Sequence, residues 1–205
     1  MKASILAFCI IYLAFICKTI AAPEPVLDVS GKKLITGVKY YILPVIRGKG
    51  GGLNVANVNN LNSNNNTCPL YVVQEKLEVK NGGAVTFTPY NAKQGVILTS
   101  TDLNIKSYVT KTTCTQSQVW KLLKVLSGVW FLSTGGVEGN PGIDTIVNWF
   151  KIEKAGKDYV FSFCPSVCKC QTLCRELGLY VDDNGNKHLA LSDQVPSFTV
   201  VFKRA

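Results

Sequence analysis

A single histidine, His188, in 205 residues leaves little material for acid–base catalysis. No Gly-x-Ser-x-Gly elbow accompanies it, so a Ser–His–Asp hydrolase would lack its nucleophile turn. Its polar neighbours predict a surface histidine in a turn. Asp182-Asp183-Asn184-Gly185 lacks the downstream bidentate glutamate of a calcium loop and reads as a hairpin turn. Beyond the first twenty-odd residues no apolar run approaches the length of a membrane span. No segment holds a 3.6-residue apolar period for three turns, which excludes a helical bundle. The basic residues form no stripe, which argues against nucleic acid as a partner. These absences point away from an enzyme, a cofactor or a metal ion.

What the chain has in quantity is cysteine, and the compartment decides its meaning. Met1-Lys2, the apolar run Ala3 to Ile16 and the small residues Ala21-Ala22 form the layout of a secretory signal peptide over 1–22. The remaining chain, 23–205, is long enough for one domain with a real core. It should be extracellular, in the apoplast, or vacuolar. Losing Lys2 and Lys18 takes the net charge from +9 to +7. Six of the eight cysteines remain, and an oxidising compartment turns them into disulfides rather than a zinc site.

Six cysteines allow many pairings, and the sequence alone does not choose among them. Cys68 and Cys114 stand apart and would naturally pair. The run Cys164-x3-Cys168-x-Cys170-x3-Cys174 suits nesting, with Cys164–Cys174 outside and Cys168–Cys170 inside. The inner bridge is awkward, because residues two apart in an extended chain have Cα atoms roughly 6.5–7 Å apart. It requires a tight turn at Lys169.

The apolar pattern is all-β. Short runs rich in β-branched and aromatic residues recur at Tyr40–Leu43, Tyr71–Val73, Ala84–Thr88 and Gly95–Leu98. They continue at Val119–Val125, Val129–Leu132, Tyr159–Phe163, Leu179–Val181 and Phe198–Phe202. Gly, Asn, Asp and Pro clusters separate them, and no linker divides them, so one barrel or sandwich domain is expected. Asn57 to Asn66 holds seven asparagines and no charge, the composition of a solvated loop. Within it, Asn65-Asn66-Thr67 is the one glycosylation sequon, with Asn65 as acceptor. Gln118-Val119-Trp120 matches the Gln-x-Trp triplet of ricin-type sugar-binding trefoils, but it occurs once, so a core strand is the expectation.

Two further stretches carry a specific likeness. Val26-Leu27-Asp28-Val29-Ser30-Gly31, followed by Tyr40-Tyr41-Ile42-Leu43-Pro44, resembles the N-terminal signature of plant Kunitz-type (soybean trypsin inhibitor) proteins. Cys68-Pro69-Leu70-Tyr71-Val72-Val73-Gln74 resembles the family's segment at its first cysteine, and Cys114 stands where its second is expected. Gly50-Gly51-Gly52-Leu53, Ser100-Thr101-Asp102-Leu103, Gly135 to Gly142 and Phe163-Cys164-Pro165-Ser166-Val167-Cys168 resemble its miraculin-like branch. The resemblance implies a β-trefoil of twelve strands in three pseudo-equivalent units. That branch spaces its inner cysteines Cys-x-x-Cys, one residue longer than Cys168-Lys169-Cys170. The region Glu153 to Gly156 lacks the cysteine that links two subunits in the branch, so a monomer is implied.

The function implied by the resemblance is inhibition of an endopeptidase, a serine protease or a cysteine protease, by a defence-related secreted protein. The reactive loop would be Pro89, Tyr90, Asn91, Ala92 and Lys93, presented in extended form to the protease cleft. Asn91 lies where trypsin inhibitors of the family carry Arg or Lys. A neutral side chain there leaves the carboxylate of a trypsin-type pocket unpaired. Thr36 stands where the family braces the loop with an asparagine and is too short to span the same hydrogen bonds. The alternatives are a miraculin-like defence or storage protein without serine-protease inhibition, and a sugar-binding trefoil.

Overall fold

Alternation along Val85-Thr86-Phe87-Thr88-Pro89 produces the strand at the centre of the architecture. Its β-branched residues favour a pleated backbone, and its aromatic ring is fully buried. In the computed structural model, residues 22–58, 68–91, 93–109, 114–126 and 128–205 are described. Residues 1–21 of the expected signal peptide, the sequon Asn65 and the loop residue Ala92 lie outside them.

Thirteen strands occur among the described residues: β1 (Tyr40–Pro44), β2 (Leu53–Ala56), β3 (Tyr71–Gln74), β4 (Val85–Pro89), β5 (Leu103–Ser107), β6 (Lys121–Leu126) and β7 (Val129–Ser133). They continue as β8 (Lys151–Ala155), β9 (Asp158–Phe163), the two-residue β10 (Arg175–Glu176), β11 (Gly178–Val181), β12 (Lys187–Leu191) and β13 (Thr199–Arg204). A short 3-10 helix, Ile143–Asn148, precedes β8.

Six strands form a barrel. Antiparallel pairing runs β5–β4–β1–β13–β9–β8. The ring closes through the bridge between Leu103 and Phe150, whose two N–H···O bonds measure 2.8 and 3.0 Å. Closure removes the exposed sheet edge that would otherwise template aggregation. Three hairpins, β2–β3, β6–β7 and β11–β12, cap one end. Their inner strands meet one another at Tyr71↔Ser133, His188↔Val73 and Ala190↔Phe131. Two barrel strands and one hairpin repeat three times along the chain, which is the β-trefoil.

The barrel core is built from rings contributed by all three units. Phe87 of β4 meets Phe202 of β13 edge-on at 5.5 Å, and Phe202 meets Phe161 of β9 at 5.9 Å. Trp120 completes the set against Phe161 at 6.3 Å, and its Nε1–H donates to Ser107 Oγ at 2.7 Å. Edge-to-face contacts place the positive ring edge on the negative face of the next ring, adding to what burial alone supplies. Trp120 is therefore a core residue, as the single Gln-x-Trp triplet predicts, and offers no platform for a sugar.

The structure corrects the surface reading of His188. This side chain is fully buried beneath the cap, stacked on Phe131 at 4.3 Å and edge-on to Tyr71 at 5.8 Å. The polar turn beside it gives no sign of this, because β12 is covered on both faces from His188 to Leu191 and only its first residue, Lys187, is partly exposed. The run Gly95–Leu98 forms isolated bridges at Val96 and Leu98 rather than a strand. The expected hairpin turn at 182–185 joins β11 to β12, with Gly185 at φ 74°.

All six cysteines among the described residues are paired. Cys68–Cys114 joins the first unit to the second, and Cys164–Cys174 closes the segment between β9 and β10. Cys168–Cys170 sits inside it, where a bend brings the Cα atoms to 5.3 Å and so meets the need for a turn at Lys169. The Gly50-Gly51-Gly52 run is required by close approach: a Cβ on Gly52 would lie 2.0 Å from the Asn81 carbonyl oxygen.

Candidate functional site

Strand β4 ends at Pro89, which is buried against Leu103, and the chain then leaves the barrel. Tyr90 and Asn91 are the first exposed residues, and Lys93 is exposed as well. The chain returns at Val96, which bridges to Ile35. An excursion this short, anchored at both ends to the barrel, has few conformations to lose.

Each limb is tied by named hydrogen bonds. On the entry side, the Tyr90 N–H donates to the Asp102 carbonyl at 2.8 Å. On the exit side, the Thr36 hydroxyl donates to the Gln94 carbonyl at 2.7 Å and its N–H to the Gly95 carbonyl at 3.1 Å. Thr36 is short, yet the Ile35–Val96 bridge draws the two backbones side by side, so a short hydroxyl reaches. Within the loop, Asn91 Oδ1 accepts the Lys93 N–H at 3.2 Å, and the Asn91 carbonyl accepts the Gln94 N–H at 2.9 Å. Together the two bonds draw Lys93 and Gln94 back onto Asn91, the pattern of an Asx-supported turn. Asn91 thereby commits its side chain to holding the turn, while Tyr90 and Lys93 remain free to meet a partner.

The flanks stiffen the loop further. The Tyr90 ring lies 6.1 Å from Trp149, whose Nε1–H donates to Thr145 of the 3-10 helix at 3.1 Å. Thr88 donates to Glu138 at 2.6 Å, and Lys106 pairs with the same carboxylate at 3.1 Å. Burial alone would raise the pKa of Glu138. The hydrogen bonds from Thr88 and Lys106 outweigh it, so the carboxyl stays below its usual range. Asn104 links the same flank, accepting the Gly139 N–H at 2.7 Å and donating to the Asn148 carbonyl at 2.8 Å.

Asp102 connects the loop to the disulfide segment. Its carboxylate accepts the Ser166 hydroxyl at 2.5 Å and the Ser166 N–H at 3.1 Å, with Lys151 Nζ at 4.0 Å. The sequence offered Asp102 and Glu138 only as parts of a family likeness, and Gln94 gave no local signal. A lone carboxylate one residue before an apolar strand was the available hint.

A closed six-stranded barrel, a three-hairpin cap and a tethered exposed loop together define a β-trefoil of the inhibitor type. The chain belongs to the plant Kunitz-type family described as trypsin and protease inhibitors, whose profile matches residues 26–204. It is 50% identical over 190 residues to Kunitz trypsin inhibitor 5 of Arabidopsis thaliana, covering 91% of this chain and 89% of that protein. It is 45% identical over 186 residues to miraculin of Synsepalum dulcificum, covering 87% and 83%. Among solved structures, a Kunitz-type cysteine protease inhibitor from potato superposes with a TM-score of 0.74 at 30% identity, covering 90% of this chain and 98% of that one.

Proposed function

We propose that the protein is a secreted or vacuolar monomer that inhibits serine endopeptidases and catalyses no reaction itself. The observation that carries this reading is the exposure of Tyr90, Asn91 and Lys93, with the loop held on its two sides by Asp102 and Thr36. A loop fixed before association loses little entropy on binding, which is the main source of affinity in such inhibitors. Pro89, Tyr90, Asn91, Ala92 and Lys93 form the reactive loop in this reading. Lys93 would serve a trypsin-type pocket, and Tyr90 a chymotrypsin-type one.

The test is a panel of trypsin, chymotrypsin, subtilisin and papain against the oxidised protein and the variants Tyr90→Ala, Asn91→Pro and Lys93→Ala. Inhibition of a serine protease that weakens by about 100-fold or more in one loop variant supports the reading, as expected for a hot-spot residue. Inhibition unchanged in all three variants places the contact elsewhere.

One observation favours a second reading. The Asn91–Gln94 backbone bond curls the far half of the loop, whereas a substrate-like segment is extended. In that reading the protein is a defence or storage protein of the miraculin-like kind. The same panel would then show no inhibition of any of the four proteases.

A further inference from the structure

At the seam between the third hairpin and the barrel, remote in sequence from the loop, lies a half-open cavity of about 220 Å³. Its apolar walls come from Pro44, Leu179, Val181 and Phe198, and the lip residues Ile46 and Val181 are exposed. The ionisable groups lining it are of one sign: Lys49 and Lys187. Among the described residues neither lysine meets a carboxylate, and the Lys187 ammonium is donated to the Lys49 carbonyl. The nearby acids are engaged elsewhere, with Glu176 accepting the Ser197 hydroxyl and Asp193 pairing with Arg175. Gln74 also lines the cavity; it is 4% exposed, and its Oε1 is buried without a hydrogen-bond partner.

We propose that this cavity binds a small amphipathic carboxylate. The apolar walls take the hydrocarbon or aromatic body, because covering them removes exposed apolar surface from water. The two lysines take the carboxylate, since an ammonium with no internal counter-ion is the natural partner of an external one. At about 30 Å³ of liquid per water, the space equals roughly seven waters, which suits a single-ring acid. The site shares no residue with the reactive loop, so it stands whether or not the protein inhibits a protease.

The probe is 4-hydroxyphenylacetate, titrated into 15N-labelled oxidised protein and followed by amide chemical shifts. The expected result is saturable binding below about 1 mM, with shifts concentrated at Leu179, Val181 and Phe198. 4-Hydroxyphenethyl alcohol, which lacks the charge, should bind about 10-fold more weakly or worse. Lys187→Met removes the cation and keeps the stem. Val181→Trp fills the mouth from an exposed position that does not disturb the core. Each should weaken the acid by about 10-fold or more while the melting temperature is retained. The proposal is overturned by no shifts at about 10 mM probe, by equal binding of the neutral alcohol, or by undiminished binding in both folded variants.

Discussion

The carboxylate of Asp102 accepts the hydroxyl and the N–H of Ser166, while its carbonyl accepts the N–H of Tyr90. One residue therefore fastens the disulfide segment 164–174 to the entry limb of the exposed loop. Asp102→Ala should cost about 1–3 kcal/mol, the penalty for leaving buried partners unsatisfied. Urea unfolding measures this, and amide exchange at Tyr90 and Ser166 should rise together. A rise at Ser166 alone would show that the two segments are not joined through Asp102.

Thr36 holds the exit limb through one side-chain bond to Gln94. Thr36→Val keeps the shape and removes the hydroxyl. A single neutral hydrogen bond is worth about 0.5–1.5 kcal/mol, so protease inhibition should weaken by roughly 2- to 10-fold. The inhibition constant of the variant, compared at matched thermal stability, is the measurement.

Asp182 and His188 set an acid limit. The carboxylate lies 2.9 Å from His188 Nε2 and accepts bonds from Asn186 and Asn184. Burial alone would raise its pKa, but those hydrogen bonds win and lower it from 3.8 to about 2. An acid depressed in the folded state stabilises above its unfolded value, and this contribution fades as pH falls toward the folded one. Stability should therefore decline from about pH 4 down to about pH 2 in the wild type. Asp182→Asn should flatten that part of the curve in pH-dependent denaturation.

The three disulfides should differ in worth by loop length. Loop-closure entropy gives about 4 kcal/mol for Cys68–Cys114, about 3 for Cys164–Cys174 and about 1.5 for Cys168–Cys170. Sequence separations of 46, 10 and 2 residues set that order. Paired Cys→Ser variants, unfolded in urea, check it. Equal losses for all three would show that native contacts, not chain entropy, dominate.

Much of the fold was legible because strand signals are local. Tyr40–Leu43, Tyr71–Val73 and Tyr159–Phe163 lie in strands, as does Ala84–Thr88 apart from Ala84, since alternation and β-branching act within a few residues. Gly95–Leu98 reads the same way yet makes only bridges, because its backbone partners are spent on the N-terminal arm at Pro25 and Ile35. The site was half legible. Residues 89–93 came from counting onto a family pattern, whereas the brace at Asp102 depends on Ser166, 64 residues away. No local pattern encodes such a contact.

By itself the sequence determined an all-β chain, because composition and period are one-dimensional properties, whereas the candidate loop rested on a family likeness and the cysteine pairing stayed open. Only the tertiary structure decided that His188 is buried, that Asn91 is turned to its own backbone, and that Thr36 reaches the exit limb. It also gathered Lys49, Gln74, Leu179 and Lys187 around one cavity. Barrel closure brings segments from all three units together, and what lies across such a junction is fixed by packing rather than by order along the chain.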